Sequence, residues 1–227
     1  MAVNLARRGL WLLPIGGALT FLVWVFVFVA RSPDPVKDPT GYAHAATNPA
    51  KILVGDVQLI AAFCILIGLL ALYVALADTP GGSWLAVGAL AGTVSMALVI
   101  GFAMIITLAD AVVGDVVLSG HPDAGQTYQW MTGGHWNGRV IPFLVVGGVA
   151  GLIAAVGLAV GTWRSGRYAK WIPIVFTIAW IVEAVWSPPS IIGGLLLAIV
   201  GFFIARAGTT MEITRSGRPG TAPIPEM

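Results

Sequence analysis

Six times along this chain about twenty residues pass with almost no charge, the length that crosses a hydrocarbon core roughly 30 Å thick. The runs fall at about 9–30, 52–77, 84–109, 140–163, 169–186 and 190–207. Backbone in lipid must satisfy its own hydrogen bonds, so each run is expected to be a helix. The charge count agrees: 10% of 227 residues are charged and 58% are apolar, too little charge to clothe a soluble domain of this size. The expected fold is therefore all-α, a polytopic membrane bundle of about six transmembrane helices with both termini cytoplasmic.

Proline and glycine punctuate the runs in "SPDPVKDPTG", "DTPGGS", "RSGR" and "SPPS". Residues 1–207 thus read as one transmembrane domain with external loops at about 31–51 and 110–139. The polar segment 208–227 reads as a disordered cytoplasmic tail. The first run follows "NLARR" but is too long for a signal-peptide core, and Phe28 before Ala30 makes a poor cleavage site, so an anchor is expected. Orientation follows from the basic residues. With the N-terminus inside, Arg7, Arg8, Arg164, Arg167, Lys170, Arg206, Arg215 and Arg218 face the cytoplasm, against Arg31, Lys37, Lys51 and Arg139 outside. The expected location is a bacterial plasma membrane.

"GGVAG" and "GLAVG" in the fourth run, and "GALAG" in the third, are small-residue patterns that suit close helix packing. Packing within one bundle is the expected use; a dimer face is the alternative. Cys64 is the only cysteine, which excludes internal disulfides and thiolate clusters.

Polar residues concentrate toward the outer side. "AWIVEAVWSPPS" sets Glu183 between Trp180 and Trp186 near the outer end of the fifth run. An acid flanked by indoles is poorly hydrated, which favours its protonated form. Asp56 stands about one turn into the second run, where an acid can also serve the helix dipole. Asp110 closes the third run and Arg139 opens the fourth. All three histidines, His44, His121 and His135, lie in the external loops. His121, Asp123 and His135 are too loosely spaced to argue for a metal, and no histidine sits within a span as a haem ligand would. Tyr128, Trp130 and Trp136 suggest a loop lying on the membrane surface, and "TGGHWNGR" returns the chain to the fourth run. The inner halves of the runs carry no ionisable side chain, which disfavours a coupled transporter.

Nucleotide, phosphate-metal and hydrolase motifs are absent, as is any basic-aromatic nucleic-acid surface. No metal and no cofactor are expected. What remains is an outward, acid-containing site for a lipid or isoprenoid-like molecule. In an enzyme it would support acid-initiated rearrangement or cyclisation. Glu183, Asp56 and Asp110 are the candidate catalytic acids; Arg139, Trp180, Trp186, His135 and Trp136 are the candidate binding residues. Expected partners are membrane lipids and an apolar small molecule. The alternatives are a non-catalytic accessory subunit packed against partner membrane subunits, and a small transporter.

Overall fold

The computed structural model describes residues 2–29, 32–130, 137–184 and 189–216, which are helical and contain no strand. In chain order the helices are α1 (Ala2–Gly9), α2 (Leu12–Val29), α3 (Pro39–Ala46), α4 (Pro49–Leu76), α5 (Gly82–Leu118), α6 (Asp123–Trp130), α7 (Asn137–Arg164), α8 (Trp171–Ala184) and α9 (Pro189–Ser216). Leu5–Val27, Pro49–Leu76, Val145–Arg164 and Ile191–Gly208 are long and apolar enough to cross a membrane; Gly82–Leu98 and Trp171–Val182 are shorter apolar stretches. The expected helical membrane bundle is the observed architecture.

The six apolar helices form a closed ring. α2 packs on α4, α4 on α5, α5 on α7, α7 on α8 and α8 on α9, and α9 returns to α2. Leu10, Leu13, Leu69, Leu72, Leu85, Leu158, Phe176, Leu197, Val200 and Ile204 fill the centre with almost no solvent exposure. Two polar side chains buried at the end of α7 are satisfied locally: Thr162 donates to the carbonyl of Leu158 at 2.6 Å, and Ser165 to that of Thr162 at 2.7 Å.

Several helix limits differ from those expected, each for a local reason. The first run is broken at Leu10–Trp11 because Pro14 lacks the N–H that would bond the Leu10 carbonyl, which takes Leu13 N–H at 3.2 Å instead. α4 begins at Pro49 rather than 52: Asn48 caps it, accepting from Ala50 N–H at 2.9 Å, with proline at the first helical position. Asp56 is therefore two turns into the helix, too deep to cap it. Asp38 and Pro39 start α3 in the same way. α5 runs nine residues beyond the expected 109; at 1.5 Å per residue its 37 residues measure about 55 Å, far more than a bilayer core needs. α9 continues to Ser216, into the segment expected to be disordered, while 217–227 lie outside the described residues.

Close approach is what the glycines permit. A Cβ on Gly157 of α7 would stand 2.7 Å from the backbone of Gly88 of α5, and one on Gly17 of α2 would stand 2.4 Å from the Ala198 nitrogen of α9. The small-residue patterns of the third and fourth runs thus serve packing inside the bundle, as expected. Gly148, in the same α7 pattern, is exposed and meets nothing. Gly88→Leu forces α5 and α7 apart and is expected to destabilise the bundle by about 3 kcal/mol or more, whereas Gly148→Leu stays near neutral. Thermal unfolding of both variants in one detergent checks the contrast.

Candidate functional site

The two long loops do not hang free. α3 and α6 pack on the part of α5 that projects past the spans. Gly114 lets α3 settle there, with Thr47, Ala43 and Ala46 around the space its missing side chain leaves. Tyr42, Ala43 and Ala46 are buried as a result. The approach to α3 is shaped by Asp34, whose carboxylate accepts from the Val36 and Lys37 amides at 2.8 and 3.2 Å; those amides hold it below the usual carboxylate range.

Asp110 is the hub of this loop face. Its Oδ1 accepts from the Tyr42 hydroxyl of α3 at 2.9 Å and from the Tyr128 hydroxyl of α6. Its Oδ2 accepts from Lys51 Nζ of α4 at 3.0 Å. Lys51 also donates to Ser32 Oγ at 3.0 Å and stands 5.8 Å from the centre of the Tyr42 ring. One carboxylate thereby joins α3, α4, α5 and α6. Burial first, and then the neighbouring Asp110 carboxylate, push both phenols above the ordinary tyrosine range.

Beneath the hub lies a cavity of about 260 Å³ between α2, α4 and α5. Its polar side consists of Lys51, Asp110, Gln58 and Thr107. Its remaining walls are largely hydrocarbon and indole, from Val23, Trp24, Val27, Ile52 and Val54. The cavity is partly open, so a molecule too long for it has room to extend outside.

The expected site residues separate accordingly. Asp110 lines this cavity. Asp56 does not: it is exposed, and its neighbours Gly55 and Gln58 line the space instead. Trp180 is buried, and its indole N–H donates to the Gly151 carbonyl of α7 at 3.0 Å, so it braces α8 on α7 away from the cavity. Glu183 lies on α8 and Arg139 on α7, but their side chains, like the whole of His135, Trp136 and Trp186, fall outside the described residues. Among the described residues no three of His, Cys, Asp and Glu are grouped as metal ligands.

Sequence reasoning missed Tyr42, Tyr128 and Lys51. Lys51 entered only as an orienting charge, and Tyr128 as part of a surface-lying loop, whereas its hydroxyl turns to Asp110. Tyr42 and Tyr128 are 68 and 18 residues from their shared acceptor, with no local pattern to announce the pairing. Comparison with protein-family models, curated proteins and solved structures gives no match.

Removing the acceptor tests the hub. Asp110→Ala leaves two phenols and an ammonium without their partner and is expected to cost about 2–3 kcal/mol. Hydrogen exchange should accelerate over 39–46 and 123–130 and stay unchanged in α8. The tyrosines give a second readout with a definite sign. Their folded-state values are raised, so their contribution is complete below the unfolded value of about 10 and fades as pH rises through the folded values. In the wild type these phenols should resist alkaline ionisation, seen as late tyrosinate absorbance; in Asp110→Ala the absorbance should appear at lower pH.

Proposed function

We propose that the protein binds an amphiphile with an uncharged polar head and a hydrocarbon tail, a lipid or isoprenoid-like molecule, in the cavity beneath Asp110. One observation carries this reading: an ion pair forms the polar side of a cavity whose other walls are mostly apolar. Such a division matches a ligand with one polar and one apolar end. The charges of Lys51 and Asp110 cancel, so a head with net charge would be left uncompensated in a poorly hydrated place. A hydroxyl or carbonyl head fits better. Lys51 has three N–H donors and spends two on Asp110 and Ser32, leaving one for a ligand oxygen. At 260 Å³ the cavity is just under the roughly 300 Å³ at which small-molecule pockets begin, enough for the head and the start of a tail.

The reading stops at binding. Acid-initiated rearrangement or cyclisation needs a proton donor beside the ligand, and Asp110 is occupied as an acceptor of three hydrogen bonds. The experiment is photo-crosslinking of the full chain with a long-chain primary alcohol carrying a diazirine near its hydroxyl. Label is expected on 23–27 and 51–58, displaced by unlabelled alcohol, lost when Val54→Trp fills the cavity, and retained in Asp56→Asn. Lys51→Met should weaken binding about tenfold, the worth of one good hydrogen bond. Label spread evenly over the lipid-facing helices and indifferent to Val54→Trp would refute the proposal.

A second reading, accessory subunit of a membrane complex, is favoured by Asp56. This acid is exposed on α4 beside Leu53 and Ile60, which are 61% and 54% exposed and share its helix face. Acids within spans nearly always face a bundle interior or a paired group. A partner helix offering a cation or hydrogen-bond donor would cover it. In native gel electrophoresis of mildly solubilised membranes the wild type should run in a larger assembly and Asp56→Leu as the isolated chain. Identical migration of the two sinks this reading.

A further inference from the structure

The end of the bundle opposite the loop face carries a second recess, between α7 and α8, with a volume of about 250 Å³. Its surface is apolar: Ala159, Val160 and Trp163 from α7 face Pro173 and Ile174 from α8. The one neutral hydroxyl there, on Thr177, is spent on the Pro173 carbonyl at 2.8 Å. Arg164 lies at the rim, exposed, with no hydrogen bond or ion pair among the described residues. Arg167 and Lys170 follow in the short connection to α8, and positions 159 to 182 contain no acid. Trp163 is 49% exposed beside Arg164, an indole placed as at a head-group boundary.

We infer that this recess holds one anionic glycerophospholipid, with an acyl chain along Ala159, Val160 and Ile174 and its phosphate at Arg164. The chemistry on both sides is complementary. Hydrocarbon meets a surface whose polar group is already satisfied, and the anion meets a guanidinium suited to bidentate phosphate contact. Basic residues gathered beside a groove between spanning helices are the arrangement that recognises anionic head groups. This site shares no residue with the cavity beneath Asp110, so either stands or falls alone.

The test uses the full chain in neutral detergent, stripped of lipid and titrated with phosphatidylglycerol or phosphatidylcholine, with bound lipids counted by native mass spectrometry. One phosphatidylglycerol should be retained in preference to phosphatidylcholine. Arg164→Gln is expected to weaken that binding about fivefold, the worth of one basic residue beside an anionic lipid. Ala159→Phe, which fills the apolar half, should weaken it as well. Arg8→Gln removes an exposed charge from α1 at the same end of the bundle and should have no effect. Equal losses in Arg164→Gln and Arg8→Gln would reduce the effect to general surface charge and overturn the inference. So would equal retention of phosphatidylcholine, or displacement of the lipid by soluble glycerol phosphate, which would mark an anion site without an acyl groove.

Discussion

A single carboxylate, that of Asp110, takes hydrogen bonds from two phenols and an ammonium, and the arrangement of the loop face depends on it. Each donor comes from a different element: Tyr42 from α3, Tyr128 from α6 and Lys51 from α4. α3 and α6 have eight residues each, too short to be stable alone in water. Tertiary contact must hold them, and the projecting part of α5 supplies it: a small-residue seat at Gly114 and an acceptor one turn earlier at Asp110. The same acceptor fixes Lys51 above the cavity. Order in the loops and polarity in the cavity therefore share one origin.

The rest of α5 is held by different physics. Lipid tails are as apolar as leucine, so burying apolar surface between helices in a bilayer gains little, and dispersion contacts at short range must supply the association. Gly88 and Gly157 let two backbones approach until a methyl group would not fit. A helix about 55 Å long is thus seated by shape in its N-terminal half and by charge and hydrogen bonding toward its C-terminal end. This division explains why Asp110 and the phenols of Tyr42 and Tyr128 meet at the loop end of α5. Hydrogen bonds to a carboxylate can organise the region where water competes for loops, and they are unnecessary where glycine seams bring helices together.

The membrane bundle was legible because span length and apolarity are local properties. The helix starts at Asn48–Pro49 and Asp38–Pro39 were also legible in principle, since a capping side chain followed by proline is a start signal; taken as part of an external loop over 31–51, they left α4 short and α3 unseen. The extension of α5 was obscured by Asp110 and Asp115, which suggest a loop by charge, although "DAVVGDVVL" keeps enough apolar residues to pack α3. The site was half legible. Asp110 stood out as an acid at a span end, but its donors are remote in sequence. Trp180 was read as a binding residue, and its N–H bond to Gly151 was not legible: an indole serves as readily to brace a helix pair as to wall a pocket, and the sequence does not say which carbonyl it will meet.

The two ends of the bundle present opposite electrostatic problems. In the cavity beneath Asp110 the cation and anion face each other at 3.0 Å, so their joint field falls off quickly and attracts no net charge. On the binding proposed for this cavity, ligands would be distinguished by whether an oxygen can reach the remaining Lys51 donor while a chain lies on Val23, Trp24 and Val27. At the α7–α8 recess Arg164 has no acid beside it in that stretch of chain, and its field extends to about a Debye length. For the lipid inferred there, discrimination would be by charge first and shape second. A single membrane contains both neutral and anionic amphiphiles, and these two sites would sort them without competing, since a phosphate is unfavourable beside Asp110 and an alcohol brings Arg164 a hydrogen-bond acceptor but no opposite charge.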